Sequence, residues 1–403
     1  MNILNIFKLN KASFIPLPSL SLITSALFQH SNYKNIADPW IQNKDKYIWL
    51  SRSTFSLALI AKIRIEKLNK KRINVFIPDY FCNEALTLIR NENVRIFFYK
   101  IDSDLEPCNN SIYNLLEKFT PDLIVQVHYF GKPRKTTFLR KISDQYDSWL
   151  VEDATHAMLP VKGIGETADF ILYSQYKHFP IPEGSLLVFR NFKLINNINL
   201  DLLIEYLDQK STISQSKTSK LIFNIKWTIK RLIQNYFFNI QINRFNLELK
   251  NKLIFRHTGP SISGYSLRIL NQEKKKIHKY IEIKHKIYMK IFDSISLLDN
   301  VSNENITNYI PYMIKYKCND NPSIFQSMVN KQSSIWMNFP CLSWPDLAPE
   351  VLADTSNHKT AIDYSIDSIY IPVHKSISDT QLDKFYYACK KYKKNNSKNV
   401  YTN

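Results

Sequence analysis

Two short segments carry residue types that could act together. In Val151-Glu152-Asp153-Ala154-Thr155-His156 a short apolar run leads into Glu152 and Asp153. A carboxylate at the end of a buried strand loses hydration and needs a cationic partner. A protonated pyridine nitrogen is one such partner, and the pairing makes that ring a better electron sink. The competing assignment is a helix N-cap, for which Asp is favoured. In Tyr173-Ser174-Gln175-Tyr176-Lys177-His178 a lysine stands beside aromatics and ahead of the turn Pro182-Glu183-Gly184-Ser185. Desolvation there would free the amine to act as a nucleophile. The competing assignment is a solvated surface lysine.

The elements that must position these groups are legible as short apolar runs alternating with helical stretches. Val75–Ile77, Val94–Tyr99, Leu123–Val127, Leu150–Val151, Ala168–Tyr173 and Leu186–Phe189 read as strands. Ser51–Leu68, Glu84–Arg90 and Phe138–Trp149 read as helices between them. This alternation predicts an α/β fold with a mainly parallel sheet covered on both faces. Ligands of such sheets sit at the carboxyl ends of the strands. The candidate loops are therefore Asp79–Cys82, His128–Gly131, Asp153–His156 and Ser174–Lys177.

Later segments differ in character. Lys217–Ile240 carries Leu221, Ile225, Ile229, Leu232 and Tyr236 at helical spacing, interspersed with Lys220, Lys226, Lys230 and Arg231. This is a basic amphipathic helix. It either packs on the domain or a partner subunit, or lies on an anionic membrane surface. A lysine-rich helix through Lys284 to Phe292, apolar runs at Ile310–Tyr316 and Ser334–Phe339, and Ser368–His374 ahead of a helix from Asp379 suggest a smaller α+β domain. The expected organisation is a large domain over 1–245, a small C-terminal domain over 246–390, and a disordered tail over 391–403.

In these positions the chain resembles the DegT–DnrJ–StrS sugar aminotransferases. Asp153 to His156, and Ser174 to Lys177 followed by Glu183-Gly184, resemble that family's cofactor motifs. Ser51-Arg52-Ser53 with Leu57-Ala58-Leu59 looks like its phosphate-cradling turn and first helix. Ile77-Pro78-Asp79-Tyr80, Val127 to Pro133 (His-x-x-Gly-x-Pro) and Ile371-Pro372-Val373-His374 follow in the same order. Each motif alone is weak, and six in order form a strong signal.

The resemblance implies a three-layer, aspartate-aminotransferase-like large domain, active as a homodimer with pyridoxal 5'-phosphate (PLP). An amino group, usually from glutamate, would move onto a keto sugar carried by a nucleotide, for surface polysaccharide or O-antigen synthesis. By position, Lys177 is implied as the Schiff-base lysine and Asp153 as the partner of the pyridine nitrogen. His156 stands where the family commonly has Gln near the phenolic oxygen. Ser174 would contact the phosphate, helped by backbone N–H groups of Ser51 and Arg52. Tyr80 and Phe81 are candidates to stack on the ring, although strict alignment puts Cys82 there.

The chain also departs from the pattern. Ser51-Arg52 replaces Gly-Thr, Glu183-Gly184-Ser185 replaces Glu-Gly-Gly, and Ser174 precedes Lys177 by three residues rather than five. The family's Asn-Tyr-Arg segment is not recognisable near Gly259 to Arg268. A sugar dehydratase is an alternative, though in the resembling dehydratases a His replaces the lysine. A non-catalytic sugar-nucleotide-binding relative is another.

Composition narrows the remaining classes. A net charge of +19 on 403 residues points to an acidic partner or a well-solvated surface. No aromatic-plus-basic nucleic-acid signature accompanies it. The five cysteines (Cys82, Cys108, Cys318, Cys341, Cys389) form no CxxC pair, which argues for a reducing compartment and against a zinc site. The segment Phe14–Phe28 is interrupted by Pro16 and Pro18, too short an apolar run for a membrane span. The expectation is a cytoplasmic enzyme without a metal.

Overall fold

The computed structural model describes residues 15–28, 35–196, 198–210, 217–236, 259–298, 306–317, 325 and 344–399. Four strands are buried along their whole length, because both faces of the sheet are covered. Leu123–Val127 (β4), Trp149–Asp153 (β5), Phe170–Tyr173 (β6) and Ser185–Phe189 (β7) are buried at every residue. They join Lys46–Leu50 (β1), Ile73–Pro78 (β2) and Val94–Tyr99 (β3) in a seven-stranded sheet of order β1-β7-β6-β5-β4-β2-β3. Only β7 runs against the others. The register pairs Val127 with Asp153 and Asp153 with Leu172. It thus brings the ends of β4, β5 and β6 to one edge.

Helices close both faces. Ser53–Leu68 (α2, following α1 at Leu20–Phe28) buries Phe55, Leu59, Ile60 and Ile63 in the principal core. Asn69 stops it in the left-handed conformation, with its N–H on the Glu66 carbonyl. On the other face, Asn109–Leu116 (α3) and Thr137–Gln145 (α4) set Ile112, Leu139 and Ile142 against Phe76, Ile124 and Leu150. Leu200–Lys210 (α5) and Lys217–Tyr236 (α6) follow.

A second layer holds Gly264–Glu273 (α7), Ile277–Ser296 (α8), Pro349–Ala353 (α9), Lys359–Asp367 (α10) and Asp379–Asn399 (α11). Met313–Lys317 (β8) pairs antiparallel with Ser368–Pro372 (β9). Ile291 and Ile295 of α8 and Phe385 and Cys389 of α11 form a separate core with Ile314, Ile369 and Ile371.

The structure corrects several expectations. β1 was not foreseen, and it takes the sheet edge beside β7. Glu84–Arg90 is two 3-10 turns, Asn83–Leu86 and Ile89–Asn91, rather than one helix. The helix expected over Phe138–Trp149 ends at Gln145, because Trp149 begins β5 and its ring enters the core. The expected disordered tail is helical through Asn399. Leu382, Phe385 and Cys389 anchor α11, and adding turns to an anchored helix avoids a new nucleation cost. Ser334–Phe339, the end of the helix expected to reach Ile240, and the boundary at 245 lie outside the described residues.

Candidate active site

Strand pleating sends Glu152 and Asp153 to opposite faces of the sheet. Glu152 is wholly buried and accepts His128 Nε2–H at 2.8 Å and the Gly165 N–H at 2.5 Å. The Arg134 N–H donates to His128 Nδ1, which leaves the ring proton on Nε2. His128, foreseen as part of a strand-end motif, therefore locks the end of β4 to β5. Asp153 faces the other way. One of its oxygens caps the Thr155 N–H at 3.0 Å, so the competing turn-capping assignment is also realised. The carboxylate is buried, and among the described residues it has no ion-pair partner.

Lys177 sits in a 3-10 turn (Gln175–Lys177) directly after β6, half-buried, with its amine donating to Thr155 Oγ1 at 3.2 Å. The turn after β5 and the turn after β6 are thereby joined at the lysine nitrogen. The Lys177 charge reaches three other groups, since it favours the neutral imidazoles of His156 and His178 and opposes the rise in the Cys82 pKa.

His156 is fully enclosed. Its ring stacks on Tyr312 at 4.8 Å and on Phe130 at 6.0 Å, and Trp344 approaches edge-on at 5.1 Å. Burial pushes its pKa well below the usual value, with the charges of Lys177 and His178 adding to the effect. The Phe130 N–H donates to His156 Nδ1, so the neutral ring keeps its proton on Nε2. His178 is likewise held neutral, first by burial and then by Lys284 and Lys177.

Tyr312, from the second layer, closes the space. Its ring centroid is 5.9 Å from the Lys177 amine, and its backbone bridges the Phe130 carbonyl and the Val373 N–H, each at 2.9 Å. Lys284 of α8 holds the same junction from behind. Its buried amine donates to the Pro311 carbonyl at 2.9 Å and to the Val373 carbonyl. Burial lowers its pKa from 10.5 to about 7. Gly131 lets these layers approach. It has φ +88°, and a Cβ there would stand 2.6 Å from the Ile310 carbonyl oxygen and 2.9 Å from that of His156.

The proposed stacking aromatics fall elsewhere. Tyr80 is sealed in the core against Tyr129, Trp344 and Tyr364, and its hydroxyl bonds the Trp344 carbonyl and the Tyr370 hydroxyl. Phe81 is buried in the same core. The Lys177 charge does reach the Cys82 thiol, where it opposes the rise that burial imposes on the pKa.

The phosphate side is rearranged as well. The Ser51 N–H donates to the Pro260 carbonyl at 2.7 Å and its hydroxyl to the Gly259 carbonyl at 2.5 Å. Neither donor is free for an anion, contrary to the expectation for Ser51. Arg52 stands just before the first turn of α2 without a side-chain capping bond, and it stacks on Tyr176 at 4.0 Å with one terminal nitrogen on the Pro182 carbonyl. Its Nε is buried and unpartnered, and so is the Ser174 hydroxyl. Here the guanidinium offers positive charge where Ser51 offers no donor.

These features fit PLP. A buried carboxylate without a cation among the described residues, an amine in the neighbouring strand-end turn, and an unpartnered buried hydroxyl two residues before the tyrosine that Arg52 stacks on match its ring nitrogen, aldehyde and phosphate. Tyr312, Trp344 and Lys284 escaped the sequence reading. They lie more than 100 residues from Lys177, and no local pattern marks them.

Known proteins place this geometry in context. Residues 56–218 match the DegT/DnrJ/EryC1/StrS aminotransferase family. The fold resembles Spr1654 of Streptococcus pneumoniae in its PLP form, with a TM-score of 0.66 and 13% identity over 94% of this chain and 99% of that one. It also resembles DesV of S. venezuelae (TM-score 0.64, 12% identity, 95% and 99% covered) and a DegT DnrJ EryC1 StrS aminotransferase of Brucella abortus (TM-score 0.60, 11% identity, 92% and 94% covered). Protein MJ1066 of Methanocaldococcus jannaschii is 30% identical over 138 residues, which span 32% of this chain and 35% of that protein. The chain thus covers about a third of the length of that curated relative. The matched segment carries Asp153, Ser174 and Lys177, so the part of the chain that holds the candidate site is similar to the DegT/DnrJ/EryC1/StrS aminotransferase family.

Proposed function

We propose that the chain is a PLP-dependent aminotransferase that moves an amino group from an amino acid, glutamate, to a keto sugar carried by a nucleotide. The product would serve surface polysaccharide synthesis in the cytoplasm, and the working form would be a homodimer. The observation that carries the reading is the Lys177 amine held on Thr155 Oγ1, one strand end from the unpaired Asp153 carboxylate.

When bound, PLP supplies an electron sink that acidifies the C–H bond beside the transferred nitrogen. The chain's own groups do the rest. Asp153 would hold the positive charge on the ring nitrogen. Lys177 Nζ, oriented by Thr155 Oγ1, takes the proton and returns it. Ser174 Oγ and the Arg52 guanidinium would hold the phosphate. Neutral His156 presents Nε2–H, while Tyr312 and Trp344 shield the lysine side from water.

The test is optical. Purified protein mixed with PLP should develop a visible absorption band, and Lys177→Ala should lose it with an unchanged circular dichroism spectrum. Absence of the band in the wild type would refute the reading. Glutamate should bleach the band. Bleaching by another amino acid alone would replace the donor. A band that no amino donor changes would instead favour the dehydratase.

A further inference from the structure

The basic amphipathic helix α6 is seated with its polar side inward. Lys220 donates to the Ser261 carbonyl at 3.1 Å, Asn224 is buried, and Thr228 Oγ1 lies 3.0 Å from the Tyr265 hydroxyl of α7. Arg231 stacks by its guanidinium on Trp227, and it lies near enough to Arg52 for the two cations to repel. The apolar side is left outward. Leu221, Ile222, Ile225 and Ile229 are exposed by 59, 46, 48 and 51%. At spacings of three and four residues they form one continuous stripe.

A half-exposed stripe of four large aliphatic side chains has a cost in water that an ordinary surface helix avoids. Its composition says what would cover it. The helix KTSKLIFNIKWTIKRLIQNY has five lysines and arginines and no acidic residue. Lys226 and Lys230 are exposed along one margin of the stripe. A second copy of this chain laid face to face would bring these like charges together within a chain of net charge +19. An anionic bilayer surface takes the stripe into its acyl boundary and the lysines into its phosphate layer.

We propose that α6 is a peripheral anchor that holds the protein on anionic phospholipid membranes by its Leu221–Ile229 stripe. No helix among the described residues is long and apolar enough to cross a membrane, so this contact lies in the plane of the interface. The proposal does not depend on the chemistry assigned to Lys177, and its readout is free of activity.

The experiment is co-sedimentation of the full chain with vesicles of phosphatidylglycerol and phosphatidylcholine, and with phosphatidylcholine alone. Binding should require the anionic lipid and weaken with salt. Ile225→Glu with Ile229→Glu should lower the partition coefficient ~100-fold. Lys226→Glu with Lys230→Glu should lower it ~10-fold or more. Both pairs are outward-facing, so each variant should keep the wild-type circular dichroism spectrum. No binding to anionic vesicles, or equal binding to neutral ones, overturns the proposal. Conversion of an oligomer to a monomer by the isoleucine substitutions, seen in sedimentation velocity without lipid, assigns the stripe to a second copy and also overturns it.

Discussion

Lys284 offers a sharp test of how the second layer is fastened over the site. Its amine is buried, donates to the Pro311 and Val373 carbonyls, and has its pKa lowered from 10.5 to about 7 by burial alone. The unfolded chain therefore binds one more proton than the folded chain between about pH 7 and 10.5. Stability rises with pH wherever the unfolded state holds the extra proton. The burden of charging Lys284 is thus fully present below pH 7 and is relieved as pH climbs. One proton corresponds to about 1.4 kcal/mol per pH unit, so the gain from pH 7.5 to 9.5 is about 2–3 kcal/mol. Neighbouring His178 stays neutral over this range because its own pKa is pushed well down, and it adds no opposing slope. Lys284→Met keeps the apolar stem and removes the titration. It loses two hydrogen bonds at every pH, which shifts the curve without tilting it. Urea unfolding of both proteins at the same cofactor concentration, followed by tryptophan fluorescence across this range, reads the difference in slope. Parallel wild-type and variant curves would refute the assignment of a neutral buried amine.

Two further substitutions probe the site directly. Gly131→Ala places a Cβ against the Ile310 and His156 carbonyls at a positive φ, and should cost at least about 2 kcal/mol in urea unfolding. Wild-type stability would show that the backbones do not approach there. Thr155→Val removes the acceptor of the Lys177 amine while leaving the Thr155 N–H on Asp153. It should lower kcat about fivefold at unchanged KM, as loss of one hydrogen bond of about 1 kcal/mol implies, and should retain the visible band.

The α/β class, the mainly parallel sheet and the strand-end loops were legible in the sequence because a doubly covered strand is predominantly apolar. The places of Asp153 and Lys177 followed, since one closes such a strand and the other lies in the turn after the next. Register slips were foreseeable where local pattern is ambiguous. Phe138–Trp149 has helical character, yet Trp149 belongs to a strand because its ring completes the core.

Other properties depended on docking between distant segments. Ser51 looks like a phosphate donor in one dimension, but residues 259 and 260 take both of its donors in three. Tyr80 has the right chemistry for a stacking ring, and burial against Tyr370 and Trp344 commits it elsewhere. The periodicity of α6 established an apolar stripe without saying which way it faces. Contacts of Lys220 and Thr228 with the body turned that stripe outward. Local sequence thus determined where a carboxylate and an amine leave the sheet, because a strand's burial is written in its own residues. Only the tertiary structure decided that Tyr312, Trp344 and Lys284 enclose them, because those contacts join segments whose patterns carry no mark of each other.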